Sequence, residues 1–154
     1  MKRDEAIARS QLQALAADER GRLLLQLALR GIQTSGRGLT VGCWVRPGGG
    51  VSGCVFQHAY WQGISEGIFT PRQGMFGPRA SREIRDLVAE PDFHNVMEAI
   101  RALDSLGKRR FVHWHGLHRE LDEAAWRDAV EVLLVDALAE RTPAPGRESV
   151  VGSV

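Results

Sequence analysis

The sequence predicts an α+β fold: one domain in which a small antiparallel sheet is packed by N-terminal and C-terminal helices. Three observations point there. Apolar residues recur at helical spacing at both ends of the chain. Between them, residues 31–77 hold 12 of the 17 glycines and an alternating stretch of strand character. Further on, Phe111-Val112-His113-Trp114-His115 is short and rich in aromatic and β-branched residues, which suits a second strand region. A sheet drawn from about 38–60 and 110–115 with helices over it follows.

The N-terminal part, 4–30, reads as helix in two pieces. Ile7, Leu12 and Leu15 form a loose stripe, Asp18 can cap a second helix, and Leu23, Leu24, Leu25, Leu27 and Leu29 crowd it. Gly31 is the expected stop. So many leucines in one helix imply burial on more than one side, or a homodimer contact.

In the glycine-rich part, Leu39, Val41, Cys43 and Val45 alternate with Thr40, Gly42, Trp44 and Arg46, a half-buried strand with Cys43 facing inward. Pro47 to Gly50 must turn the chain. Val51 to Trp61 fits either a returning hairpin strand or a helix capped by Ser52. Gly63 to Pro78, with four glycines and two prolines, is expected to be a long surface loop.

Helix is expected again over 79–106 and 118–141. Ile84, Leu87 and Val88 make a short face ending before Pro91. Asp92 caps a helix carrying Phe93, Val96, Met97, Ile100 and Leu103, closed by Gly107. Leu121, Trp126, Val130, Leu133, Leu134 and Leu138 mark the last helix. The domain is placed at 1–141, and 142–154, with Pro143, Pro145 and Gly146, as a loose tail.

Composition narrows the function classes. The chain has 154 residues, 44% hydrophobic and 25% charged, a balance that suits a packed globular domain. Its formal net charge of +1 gives no global basic field, so nucleic acid is not the expected partner. No run of about 18 apolar residues exists to cross a membrane. The charged N-terminus has no apolar signal core, so a cytoplasmic location is expected. There, two cysteines read as thiols, ligands or a nucleophile rather than a disulfide, with a Cys43–Cys54 bridge as the alternative for an exported protein.

The residues with most chemistry form two clusters. Cys54 and His58 are four apart and share a face on a helix or a strand. His113 and His115 share a face of a strand, with Trp114 on the other. Together Cys54, His58, His113 and His115 would supply four nitrogen and sulfur ligands suited to zinc, with Cys43 and His118 as spares. The competing account is a buried Cys beside a core His, and no paired Cys-x2-Cys spacing is present.

A second arrangement makes Cys54 a nucleophile. In the first turn of a helix, a thiol faces the positive end of the dipole, which favours the thiolate. With His113 or His115 as base and Glu120 or Asp122 orienting it, the order of residues resembles that of papain-like cysteine hydrolases, and implies thiol hydrolase or transferase chemistry. The residues around Cys54 depart from that family's pattern.

His113-Trp-His-Gly-Leu117 resembles the copper-ligand motif of multicopper oxidases over five residues, without their further His-x-His and His-Cys-His motifs. The stretch is also similar to the His-x-His-x-Asp-His signature of the metallo-β-lactamase fold, but Leu117 stands at the Asp position. Neither resemblance extends to the flanking helices.

Lys108, Arg109 and Arg110 beside Phe111, Trp114 and His115 could meet a phosphate or stack a base, though cations after a helix more often serve its C-terminus. Gly48–Gly50 lacks the Gly-Lys-Ser/Thr ending of a phosphate loop and reads as a turn. With no complete catalytic set, a binding or regulatory domain with a protein partner is the leading expectation.

Overall fold

The computed structural model describes residues 2–42, 44, 51–70 and 78–139. Six helices carry the fold: α1 (Lys2–Ala16), α2 (Glu19–Thr34), α3 (Val55–Ser65), α4 (Pro78–Val88), α5 (Asp92–Arg110) and α6 (Glu123–Ala139). Two short sheets join them. β1 (Gly38–Leu39) pairs in parallel with β2 (Ser52–Gly53), and β3 (Val112–His115) pairs antiparallel with β4 (His118–Leu121). The architecture is α+β. The single antiparallel sheet expected from 38–60 and 110–115 is replaced by these two separate pairs.

The break between α1 and α2 falls where Asp18 predicted it. The Asp18 side chain accepts from the backbone N–H groups of Arg20 at 3.1 Å and Gly21 at 3.3 Å, satisfying donors that the new helix leaves open. Gly31 does not stop α2, which runs on to Thr34. A Cβ at Gly31 would stand 2.6 Å from the His58 carbonyl oxygen, so this glycine is there to let α2 and α3 meet. Gly107 is likewise internal to α5, which ends at Arg110. A Cβ there would meet Val41 Cγ2 at 2.6 Å.

Leu24, Leu25 and Leu27 are fully buried, and Leu23 and Leu29 pack at the edge of the same cluster. α2 contacts α1, α3, α4 and α6, so these leucines are packed within the chain. Trp126 is the largest fully buried side chain among the described residues, tilted against Phe111 with ring centroids 5.4 Å apart. Truncating a residue so placed typically costs about 3–5 kcal/mol.

Beyond the short β1–β2 pairing, the segment from Gly38 to Gly42 is held to the helices by polar ties. Glu123 accepts from the Leu39 N–H at 3.1 Å, Asp104 from the Gly42 N–H at 2.9 Å, and the Thr40 carbonyl accepts from Trp126 Nε1 at 3.4 Å. Arg127 donates to the carbonyls of Ile32 at 2.6 Å and Arg37 at 2.8 Å. The expected strand through Val45 therefore ends at Leu39, with Val41 and Gly42 in a bend; Cys43 and 45–50 lie outside the described residues. After β2 the chain turns helical at Val55, with Cys54 rather than Ser52 at the cap position.

The expected helix over 118–141 begins later, because 118–121 pairs with β3. Asp122 then caps α6, accepting from the Ala125 N–H at 3.1 Å. Residues 71–77 of the expected loop and 142–154 of the expected tail are outside the described residues. Among the described residues, no helix is long and apolar enough to cross a membrane.

Candidate functional site: a hairpin and the cleft at its base

α5 delivers the chain into the hairpin. Its last turn is Lys108, Arg109 and Arg110, cations at the negative end of the helix dipole. Two of them are met by the acidic first turn of α1: Arg109 stands 3.6 Å from Asp4 and Arg110 2.9 Å from Glu5, while the Arg110 guanidinium also lies over Phe111. Two of the three cations thus stand in ion pairs with α1 at the surface.

β3 and β4 pair His115 with His118, Trp114 with Arg119, His113 with Glu120 and Val112 with Leu121. Only Gly116 and Leu117 lie between the strands. Gly116 has φ of 62°, while Leu117 does not share that left-handed backbone, which is the II′ form of a two-residue hairpin turn. Strand alternation then divides the side chains. Val112, Trp114, Arg119 and Leu121 share one face, and His113, His115, His118 and Glu120 share the other.

The base of the first face is half-buried through Val112 and Leu121. Its outer part is not: Trp114 is 69% exposed, and Leu117 at the tip is 91% exposed. These are the two most exposed large hydrophobic side chains among the described residues. The Arg119 guanidinium stands 5.9 Å from the Trp114 ring centre. Below lies a cleft of about 450 Å³ between the hairpin, the Leu39–Val41 segment, Lys108 and Glu123. Its charged lining is mixed, with Lys108 and Arg119 against Glu123, and Glu120 borders it from the hairpin's other face. Glu123 is already engaged by Leu39 and by Arg127 at 3.2 Å.

The sequence-predicted site residues occupy different environments. His58 is wholly buried. Its Nε2 donates to the Gly38 carbonyl at 2.8 Å and its Nδ1 lies 3.4 Å from the Ser35 hydroxyl, so both ring nitrogens are engaged within the fold. Burial pushes its pKa below the usual histidine value, and the nearby charges of Arg127 and Arg37 push the same way. Cys54 is 6% exposed at the N-terminus of α3, in the helix-start position that the nucleophile reading requires. It borders a small recess with Val55, Phe56, Leu103 and Asp104. His113 and His115 sit on the exposed hairpin, where His115 approaches Glu120 at 3.9 Å rather than Cys54.

The four-residue set of Cys54, His58, His113 and His115 is therefore not gathered. Among the described residues, no three His, Cys, Asp or Glu side chains converge on a point that could hold a metal ion. What sequence reasoning missed is β4, and with it the partnership of His118 and Glu120 with the two predicted histidines. The available signal was Gly116-Leu117, a glycine-first pair of turn residues directly after a β-prone stretch.

No protein-family model, no curated protein and no solved structure matches this chain.

Proposed function

We propose that the protein is a non-catalytic binding domain, of regulatory type and cytoplasmic setting, that takes a protein partner on the β3–β4 hairpin. The observation that carries this reading is the exposure of Trp114 on a hairpin whose base is packed into the body of the fold. A tryptophan held in solvent by ordered backbone is ready to fill a pocket with little ordering cost, and tryptophan is enriched among the residues that dominate interface energies. Arg119 beside it supplies a cation, so the matching partner surface is an apolar pocket with a carboxylate at its rim.

Base stacking on Trp114 is the competing use of the same side chain. It draws less support, because two of the cations leading into the hairpin, Arg109 and Arg110, are paired with Asp4 and Glu5. The zinc site of Cys54, His58, His113 and His115 and the Cys54 hydrolase draw less support still, with His58 committed to Gly38 and Ser35 and His115 beside Glu120.

The test places a photo-crosslinking amino acid at Leu117 in the full chain, expressed in cells, with Val135 as an exposed control site on α6. The expected result is a discrete protein adduct from position 117 alone. The purified partner should then bind wild type, and Trp114→Ala should weaken binding by at least about tenfold. Adducts with nucleic acid only, or a partner whose affinity ignores Trp114→Ala, would overturn the reading.

A further inference from the structure

The opposite face of the hairpin carries three histidines and a glutamate, and the partner reading makes no use of it. His113, His115, His118 and Glu120 all project there, His115 directly opposite His118 and His113 directly opposite Glu120. Cβ atoms of directly opposed strand residues stand about 4.5–5.5 Å apart, and same-strand neighbours two residues on about 7 Å. Four side chains on such a rectangle can lean over one point between the strands. Three imidazoles and a carboxylate are the donor types that zinc and its first-row neighbours take.

The separation of His115 from Glu120 fits that use. His115 Nε2 and Glu120 Oε2 are 3.9 Å apart. Two donors each about 2.1 Å from a tetrahedral zinc stand about 3.4 Å from each other. Half an ångström of closure is within reach of a small side-chain rotation. All four side chains are exposed, so that rotation displaces no packed neighbour. As they stand, no three donors meet at one point, so the ion would draw the side chains together rather than enter a finished cage.

We propose that this face binds one divalent first-row transition-metal ion of the zinc class through His115, His118 and Glu120, with His113 able to close the set. The ion clips β3 to β4 across the turn and holds the backbone that presents Trp114 and Leu117 on the other face. This differs from the sequence-predicted set by exchanging Cys54 and His58 for His118 and Glu120. It stands whether or not Trp114 has a protein partner.

Titration of the tag-free full chain with Zn²⁺ alone, followed by calorimetry in chelator-free buffer, tests it. The expected result is saturable binding of about one ion per chain. Loss of affinity of at least about tenfold is expected in His118→Ala, with His94→Ala, an exposed histidine on α5, unchanged. Circular dichroism of the His118→Ala chain checks that the helices are retained. Absence of saturable binding, or binding that survives His118→Ala, would overturn the proposal. Binding abolished by Cys54→Ala but not by His118→Ala would do so in favour of the Cys54 set.

Discussion

Gly31 of α2 lies against the backbone of His58 in α3, so closely that a Cβ at position 31 would stand 2.6 Å from the His58 carbonyl oxygen. Helix propensity alone would favour alanine there by about 1 kcal/mol. The contact reverses that sign. Gly31→Ala must push two buried helices apart, and its expected cost is about 1–3 kcal/mol, read as a lowered midpoint in chemical denaturation. A gain in stability would mean that α2 and α3 are not in this contact.

The same residue shows where the sequence was legible and where it was not. Local signals worked when the deciding partner was local: Asp18 faces the N–H groups of residues two and three places on, and the helix break is read from it directly. Gly31 and Gly107 look like helix stops, but their partners, His58 and Val41, are distant in sequence, and only packing reveals that they are contact points. β4 was hidden because His118-Arg-Glu-Leu121 suits a helix as well as a strand, and its pairing with β3 is decided across the turn. For the site, the hairpin histidines were visible as residue types. Their separation from His58 was not, since burial of an imidazole depends on the helices around it.

His58 makes stability depend on pH. Its folded pKa lies below the ordinary 6.5 because of burial, so above that value both folded and unfolded states hold it neutral. As pH falls below about 6.5, the unfolded chain takes up the proton first, and the stability present at neutral pH is lost progressively toward the folded pKa. The denaturation midpoint should therefore drop between neutral and mildly acidic pH. His58→Gln, which keeps an amide donor for the Gly38 carbonyl, should flatten that slope relative to wild type. An unchanged slope would assign the dependence to other groups.

Asp18 and Asp92 form a carboxyl pair where α2 and α5 begin. The hydrogen bond with Asp92 and the N–H groups of Gly21 and Arg20 hold Asp18 below the usual aspartate range, while burial and Asp18 itself push Asp92 up. A raised carboxyl pKa favours the folded state at low pH and opposes it once both groups should be ionised. Asp92→Asn retains a donor toward Asp18 and removes the repulsion, so it should raise the thermal midpoint at pH 7. That advantage should shrink as the pH falls into the carboxylate range. Asp18→Ala removes the cap and should cost about 1 kcal/mol at neutral pH.

Ala89 is the only non-glycine residue with positive φ among the described residues, at 62°, where α4 has ended and its N–H still reaches the Arg85 carbonyl at 2.9 Å. A side chain in that conformation costs about 1–2 kcal/mol, and glycine avoids the clash between Cβ and the following carbonyl. Ala89→Gly also adds freedom to the unfolded chain, which returns about 0.4–1 kcal/mol. The net expectation is a small stabilisation, under about 1.5 kcal/mol. A loss of stability would show that the methyl group makes a contact worth more than the strain it brings.

Arg127 supports the cleft from beneath. It donates to the carbonyls of Ile32 and Arg37 and to Glu123, and Glu123 in turn accepts from Leu39 N–H on the cleft wall. Lysine keeps the charge, but its donors all leave one nitrogen and cannot span acceptors that the guanidinium reaches from two, so Arg127→Lys should recover only part of what Arg127→Ala loses. For Arg127→Ala the expected loss is about 2–4 kcal/mol, since it leaves partly buried acceptors without their charged donor. The tie to Leu39 gives a local readout as well. Amide hydrogen exchange at Leu39 should accelerate in Arg127→Ala more than at Leu27 in the fully buried part of α2. Uniform acceleration at both would mean that Arg127 stabilises the whole fold and has no particular hold on the wall of the cleft.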